Sequence, residues 1–115
     1  MTVERTGVVD WLGIEKGTGH IILTVVDDRD WNDENGHLLA LQEKLNTYLA
    51  FIESGEVFER LAEDVGRTVA RSTPLKVSIL AKYPLPDRGK AFVEHAQQAF
   101  SRAGFGLTFK VVIAE

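Results

Sequence analysis

Two stretches near the start of the chain are rich in apolar and β-branched residues. They are GVVDWLGI, which begins at Gly7, and HIILTVVDD, which begins at His20. The segment KGTG lies between them, and its glycines can adopt the positive φ angles of a turn at no steric cost. Apolar, β-branched runs joined by a glycine-containing turn are typical of a hairpin. We predict strands at about residues 8–15 and 20–27.

The spacing of the apolar residues changes after Gly36. They recur there every three or four positions, as on one face of a helix. This stripe consists of Leu38, Leu41, Leu45, Tyr48, Leu49 and Ile52. The helix should stop near Ser54-Gly55, since glycine suits the left-handed position after a helix. A short second helix is expected near residues 56–65, followed by a polar loop over residues 67–73.

In the last third of the chain, segments with the two-residue alternation of a strand flank one with the three-and-four spacing of a helix. LKVSILAKY, from Leu75, has the alternation of a strand with one buried face. A helix is predicted at about residues 88–103, and GLTFKVVIAE, from Gly106, gives a final strand. We expect one α+β domain over residues 1–115, with a four-stranded mixed sheet in the order β-β-α-β-α-β.

Both long helices have a single apolar stripe, so each should cover a sheet face rather than be buried all round. Right-handed crossovers would place both helices on the same face and leave the other face open. The candidates for that open face are Thr24, Lys76, Ser78, Lys82, Thr108 and Lys110. Such a face is either solvated or a dimer surface.

The amino-acid composition argues against several kinds of site and partner. The chain has no cysteine, which excludes disulfide bonds, thiolate metal sites and cysteine nucleophiles. Its net charge of −4 argues against a nucleic-acid partner, because affinity for phosphate backbones comes from clustered Lys and Arg. No apolar run has the length of a signal peptide or a membrane span. We expect a soluble, cytoplasmic protein of bacterial type, without membrane contact and without a cofactor.

The segment DDRDWNDE, from Asp27 to Glu34, is the first candidate for chemistry, since it has five carboxylates in eight residues. A calcium loop of the helix-loop-helix kind needs glycine at position six and glutamate at position twelve. Counting from Asp28 puts Asp33 and Leu39 at those positions, so the pattern fails. The strand predicted before the segment also disagrees with that motif.

A transition-metal site would need histidines close together, and the chain has only His20, His37 and His95. His20 begins the second strand and His37 lies just beyond its far end, so about eight residues at about 3.3 Å each separate them by roughly 26 Å. A site that combines His37 with Asp28 or Asp30 stays open as an alternative. We favour an exposed histidine near the start of a helix, and we assign no metal ligand.

No catalytic set is recognisable. The serines lack a nucleophile-elbow context, and the glycine pairs near residues 17–19 and 104–106 lack the lysine of a phosphate loop. Acidic residues before a helix are attracted to the positive end of the helix dipole, and their side chains accept hydrogen bonds from its unpaired backbone N–H groups. We therefore expect Asn32 or Asp33 to be the N-cap. Trp31 is expected to anchor the loop as a partly buried side chain.

The same block also resembles a known family. DDRDWNDENGHLLALQEKLNTYLAFIESGEVFE is similar to the signature region of a small bacterial family, domain of unknown function 6572. The matching features are the aspartates before Trp31, the run from His37 to Glu56, Asp10 within GVVDWLGI, Lys82-Tyr83, and Ala103 to Phe105. The similarity is weakest over residues 62–74. The resemblance implies a compact α+β domain and supplies no catalytic residue, cofactor or activity.

These observations favour a non-enzymatic domain that acts through protein contacts, as a homodimer or with another protein. One candidate surface is a polar strip of the first helix formed by Gln42, Asn46 and Glu53, with Glu43 and Lys44 nearby. We favour the simpler explanation of that strip, a solvated helix face. Two alternatives stay open: a small hydrolase or metal-dependent enzyme using Asp28, Asp30 and His37, and an immunity or antitoxin protein that neutralises a basic toxin. Asp28, Asp30, Trp31 and His37 together are the candidate surface site.

Overall fold

A computed structural model describes residue 9 and residues 11–112 of the chain. Its elements are β1 (Trp11–Ile14), β2 (Ile21–Asp27), α1 (Glu34–Glu53), α2 (Glu56–Val65), β3 (Leu75–Ala81), α3 (Asp87–Arg102) and β4 (Gly106–Val111). The predicted order of strands and helices is confirmed, including the short α2. The predicted first strand begins at residue 8, which lies outside the described residues, as does Asp10.

The strands form one mixed sheet in the order β1-β2-β3-β4. β1 runs antiparallel to β2, while β2, β3 and β4 run parallel to one another. Each parallel pair is joined through helices, and both crossovers step in the same direction across the sheet. Leu61 of α2 and Phe100 of α3 join the same core cluster as α1 and the inward side chains of β2 and β3, so the helices lie on one face. The predicted arrangement, with the helices on one face, is confirmed.

The core lies between that face and the helices. Residues of β2 and β3 alternate strictly between buried and half-buried, as expected for a sheet covered on one side. The buried set is Ile21, Leu23, Val25, Leu75, Val77 and Ile79, which packs against Leu41, Leu45, Tyr48 and Ile52 of α1. Among the described residues, no helix has both the length and the apolarity to cross a membrane.

The other side of the sheet is covered by none of the described helices, and we call it the open face. In the described residues it consists of Trp11, Gly13, Ile22, Thr24, Val26, Lys76, Ser78, Leu80, Thr108 and Lys110, continued by Asp28, Lys82 and Val112 at the carboxyl ends of the strands. Every one of these side chains is half-buried or exposed. The six residues predicted for this face therefore lie on it.

The turn from α1 into α2 depends on one glycine. Gly55 has a φ of 84°, which side chains rarely tolerate, and it lies directly beneath the guanidinium of Arg71. The same guanidinium lies 5.5 Å from the centre of the Phe58 ring. This stacking fastens the loop before β3 to the start of α2, whose Val57 and Leu61 join the core.

Candidate functional site

The acidic segment between β2 and α1 is folded by its own carboxylates. Asp33 is the N-cap of α1, and its side chain accepts a hydrogen bond of 3.1 Å from the backbone N–H of Gly36. Asp30 accepts 3.0 Å from the backbone N–H of Asn32 and so closes a local turn. Of the two residues predicted as the cap, Asp33 has that role. The segment owes this local order to side chains that satisfy its backbone N–H groups.

One carboxylate of the segment leaves the surface and pairs with the helix. Asp27 is the last residue of β2, and its Oδ2 lies 2.6 Å from Nε2 of His37 in the first turn of α1. Asp27 is 2% exposed and His37 is 0% exposed. The other ring nitrogen of His37, Nδ1, lies 2.8 Å from the backbone oxygen of Asp30. His37 thus connects the end of β2, the acidic segment and the start of α1.

The two contacts fix the position of one proton of His37 and limit a second to two positions. A carbonyl oxygen can only accept, so Nδ1 carries a proton and donates it to the backbone of Asp30. The short contact between Nε2 and Asp27 then needs one more proton, held by the ring or by the carboxyl group. Both forms leave the pair without net charge, which is how a buried acid and a buried base can be tolerated together.

Burial sets the acidity of Asp27. Loss of hydration on burial raises the pKa of its carboxyl group above the ordinary value, and the charge of the neighbouring Asp28 adds to the rise. The hydrogen bond from His37, its charge and the backbone N–H of Arg29 act in the opposite direction and are outweighed. A proton on the Asp27 carboxyl group is therefore held more firmly than one on an exposed aspartate.

Trp31 covers this pair. Its ring stacks on the imidazole of His37 with the ring centres 3.6 Å apart and the planes 18° apart. The indole is half-buried and shields the imidazole from solvent. Trp31 was predicted to anchor the loop as a partly buried side chain, and its position fits that role.

The structure separates the four residues predicted as a candidate surface site. Trp31 and His37 come together, whereas the side chains of Asp28 and Asp30 are exposed and do not pair with His37. The expectation of an exposed His37 is wrong, because the residue lies on the core-facing side of α1. In the described part of the chain, no group of three or more His, Asp or Glu side chains has the arrangement of a metal site.

The chemistry open to His37 follows from its two contacts. A metal ligand or a general base needs a ring nitrogen with a free lone pair that a metal or substrate can reach. Nδ1 is committed to Asp30 and Nε2 to Asp27, and the ring has no exposed surface. The arrangement therefore fastens the segment and holds a proton, and it offers no free nitrogen for catalysis.

Lys44 is a second polar residue that is buried although it was predicted near the surface. It was assigned to the neighbourhood of the polar strip of α1, but it is 0% exposed. Its Nζ lies 5.6 Å from the centre of the buried Tyr48 ring, whose hydroxyl donates 2.8 Å to the backbone oxygen of Thr24. The strip residues Gln42, Asn46 and Glu53 are exposed, as expected of a solvated face.

Two patterns in the sequence could have located these buried polar groups. Asp27 follows Ile21, Leu23 and Val25 in strict alternation, which puts it on the buried face of β2. His37 and Lys44 are spaced by three and four residues from Leu41 and Tyr48, which puts them on the core stripe of α1. Only their polarity argued for the surface.

A cavity opens at the carboxyl ends of the parallel strands, on the open face. It has a volume of about 250 Å³. Its lining is Val26, Asp27, Asp28, Leu80, Ala81, Lys82 and Val112. The walls are mostly apolar, and the charged Asp28 and Lys82 are exposed at its rim. Asp27 is committed to His37, which leaves Asp28 as the rim carboxylate.

Comparison with known proteins identifies the chain without assigning it an activity. No curated protein and no solved structure matches it. A family profile covers almost the whole sequence, including the signature block recognised above and the strands of the open face. The chain belongs to the family of unknown function DUF6572, whose profile matches residues 1–113.

Proposed function

We propose that this protein is a non-enzymatic interaction domain that forms a homodimer through its open face. The observation that carries the proposal is the one-sided fold, in which α1, α2 and α3 supply the core and the opposite face of the sheet has no described helix on it. Half-buried or exposed apolar side chains remain there, among them Trp11, Ile22 and Leu80.

Trp11 is the most prominent of these side chains. It pairs with Thr24 across the hairpin, which directs it away from the core, and 49% of it is exposed. Tryptophan is enriched at protein interfaces, where its large ring removes much apolar surface from water at a small cost in conformational entropy. An exposed tryptophan within a sheet face supports contact with another protein.

The charges on this face support a second copy as that protein. Asp28 follows β2 on this face, and Glu15, which follows β1, borders the face beside Trp11 and Gly13. The lysines of the face, Lys76, Lys82 and Lys110, lie on the β3 and β4 half. A twofold axis brings the same patch of each copy against the other, so each acidic half can face a basic half. The face is thus complementary to itself in charge, even though the chain has a net charge of −4.

The size of the face sets the expected strength. Four strands of up to seven residues give an area of roughly 20 Å by 20 Å, from about 3.3 Å per residue and 4.8 Å between strands. This is about half of the roughly 800 Å² per partner found in standard interfaces. We therefore expect a reversible dimer with a dissociation constant in the micromolar range rather than a permanent one.

The Asp27–His37 pair supports the non-enzymatic part of the proposal. Both nitrogens of His37 are bonded, and Trp31 covers the ring. A site built in this way stabilises the strand-to-helix joint beside the open face.

Sedimentation velocity over a concentration series, from a few micromolar to several hundred micromolar, tests the proposal. The protein should pass from monomer to dimer across the series. Ser78→Arg, at the centre of the open face, should keep it monomeric, whereas the matched change Gln42→Arg, on the exposed strip of α1, should leave dimerisation unchanged. A strict monomer at every concentration would overturn the proposal, and loss of the dimer only in Gln42→Arg would transfer the interface to α1.

A further inference from the structure

We infer that Trp11 of one copy inserts into the cavity of the other copy, at the carboxyl ends of β2 and β3, and that this reciprocal insertion anchors the dimer. The inference rests on the proposed homodimer and specifies its contact. Two features of the open face that are otherwise unrelated, an exposed tryptophan and an apolar cavity, become the two halves of one interaction.

The volume of the cavity selects a side chain as its occupant. Pockets for cofactors and drug-sized ligands range from about 300 to 1,000 Å³, and this cavity, at about 250 Å³, lies below that range. An apolar cavity of about 150 Å³ already admits a benzene ring. The cavity beside Val26 and Leu80 therefore has room for one indole ring.

The chemistry of the rim fits an indole. A tryptophan that becomes buried needs an acceptor for its ring N–H, and an ammonium group is attracted to its ring face. Asp28 supplies a carboxylate that has no ion pair among the described residues. Lys82 supplies the ammonium group, which in the single chain lies 5.6 Å from the centre of the Tyr83 ring and would turn from that ring to the indole. The apolar floor takes the ring, and the charged rim meets its polar edge.

Trp11 does not line the cavity of its own chain. It lies on the edge strand β1, level with Thr24, whereas the cavity begins at Val26 of β2 and extends past Leu80 to Val112. Trp11 instead borders a separate depression together with Gly13, Ile22 and Thr24. A twofold axis between two facing sheets exchanges the two positions, so both insertions form at once.

Two substitutions test the inference from opposite sides of the contact. Trp11→Ala removes the anchor, and Val26→Phe fills the cavity while leaving Trp11 in place. Each should raise the dissociation constant of the dimer at least about thirtyfold, the loss typical of an interface hot spot. Leu39→Ala is the matched control, because Leu39 is 56% exposed on α1, away from the open face. It should leave the dissociation constant unchanged.

Mixing the two variants separates loss of the contact from loss of the fold. A heterodimer of Trp11→Ala with Val26→Phe keeps one intact insertion, the tryptophan of the second variant in the free cavity of the first. Each homodimer keeps none. Sedimentation of the mixture should therefore show tighter association than either variant alone, and misfolded chains could not produce this rescue.

The same experiments separate the insertion of Trp11 from the open-face dimer on which it depends. If Ser78→Arg abolishes the dimer but Trp11→Ala and Val26→Phe associate like the unmodified protein, the insertion is wrong and the open-face dimer stands. If both variants are impaired but their mixture gives no rescue, the reciprocal contact is wrong. A protein that never dimerises overturns both.

Discussion

Nε2 of His37 lies 2.6 Å from Oδ2 of Asp27, and this contact joins the last residue of β2 to the first turn of α1. The residues between them form the acidic segment, which the same imidazole holds through the backbone oxygen of Asp30. Trp31 closes the arrangement from the solvent side. One side chain thus fixes the angle at which the chain leaves the sheet and enters its longest helix.

Replacing His37 should be costly. His37→Ala leaves Asp27 buried without its partner and also removes the surface on which Trp31 stacks. Loss of one member of a buried pair typically costs about 3–5 kcal/mol, and we expect His37→Ala to lower the free energy of unfolding by that amount. Urea denaturation followed by circular dichroism measures it.

His95→Ala is the matched control for this change. His95 is exposed on α3, and its replacement should alter the free energy of unfolding by less than about 0.5 kcal/mol. Equal effects of the two substitutions would show that the contact with Asp27 contributes nothing beyond an ordinary surface histidine.

The raised pKa of Asp27 predicts a pH dependence that Asp27→Asn should remove. A carboxyl group whose pKa is raised in the folded state binds its proton more tightly there than in the unfolded chain. Its contribution to stability is fully present below the ordinary aspartate pKa, about 3.9, and is lost as the pH rises through the raised value. Asparagine cannot ionise, and its amide N–H can donate to Nε2 of His37 in place of the protonated carboxyl group.

The free energy of unfolding of Asp27→Asn should therefore improve relative to the unmodified protein as the pH rises from about 4 to 8. Each unit by which the pKa is raised contributes about 1.4 kcal/mol to this change. Urea denaturation at several pH values measures it. A flat difference for Asp27→Asn, or one that worsens with pH, would contradict the assignment.

The fold could be predicted because its signals are local. Alternation in β2 and β3 and the three-and-four spacing in α1 each arise from one element with one buried side. The right-handed crossover rule then places both long helices on the same face without knowledge of any particular contact. The prediction differed from the structure mainly at element ends, as for β2, which begins at Ile21 rather than at residue 20.

The Asp27–His37 pair could not be predicted in the same way. Each residue occupies a position that its own element marks as buried, but the pairing depends on how α1 lies across β2. Polarity was allowed to outweigh periodicity, so His37 was expected at the surface and Lys44 beside a polar strip. In both cases the spacing along α1 was the better guide, because a polar group with a partner can occupy a core position.

The N-cap of α1 should make a smaller contribution to stability than the Asp27–His37 pair. Asp33→Ala removes the acceptor for the backbone N–H of Gly36 and should lower the free energy of unfolding by about 0.5–2 kcal/mol. Asn32→Ala, one residue earlier, should cost less than about 0.5 kcal/mol, because its side chain does not cap the helix. Thermal or urea denaturation compares the two, and a larger loss in Asn32→Ala would reassign the cap.

The lysines of the open face should contribute to dimerisation through their charge. Lys110→Glu reverses a charge on the basic half of that face, whereas Lys90→Glu makes the same change on α3, away from it. Both variants have the same net charge, so only the position of the reversed charge differs. Lys110→Glu should weaken dimerisation about fivefold to tenfold, while Lys90→Glu should leave it near that of the unmodified protein. Sedimentation equilibrium should also show weaker association of the unmodified protein at 0.5 M than at about 0.05 M salt, since salt screens exposed charges. Equal dissociation constants for the two variants would mean that the lysines of the open face do not meet the acidic half of a second copy.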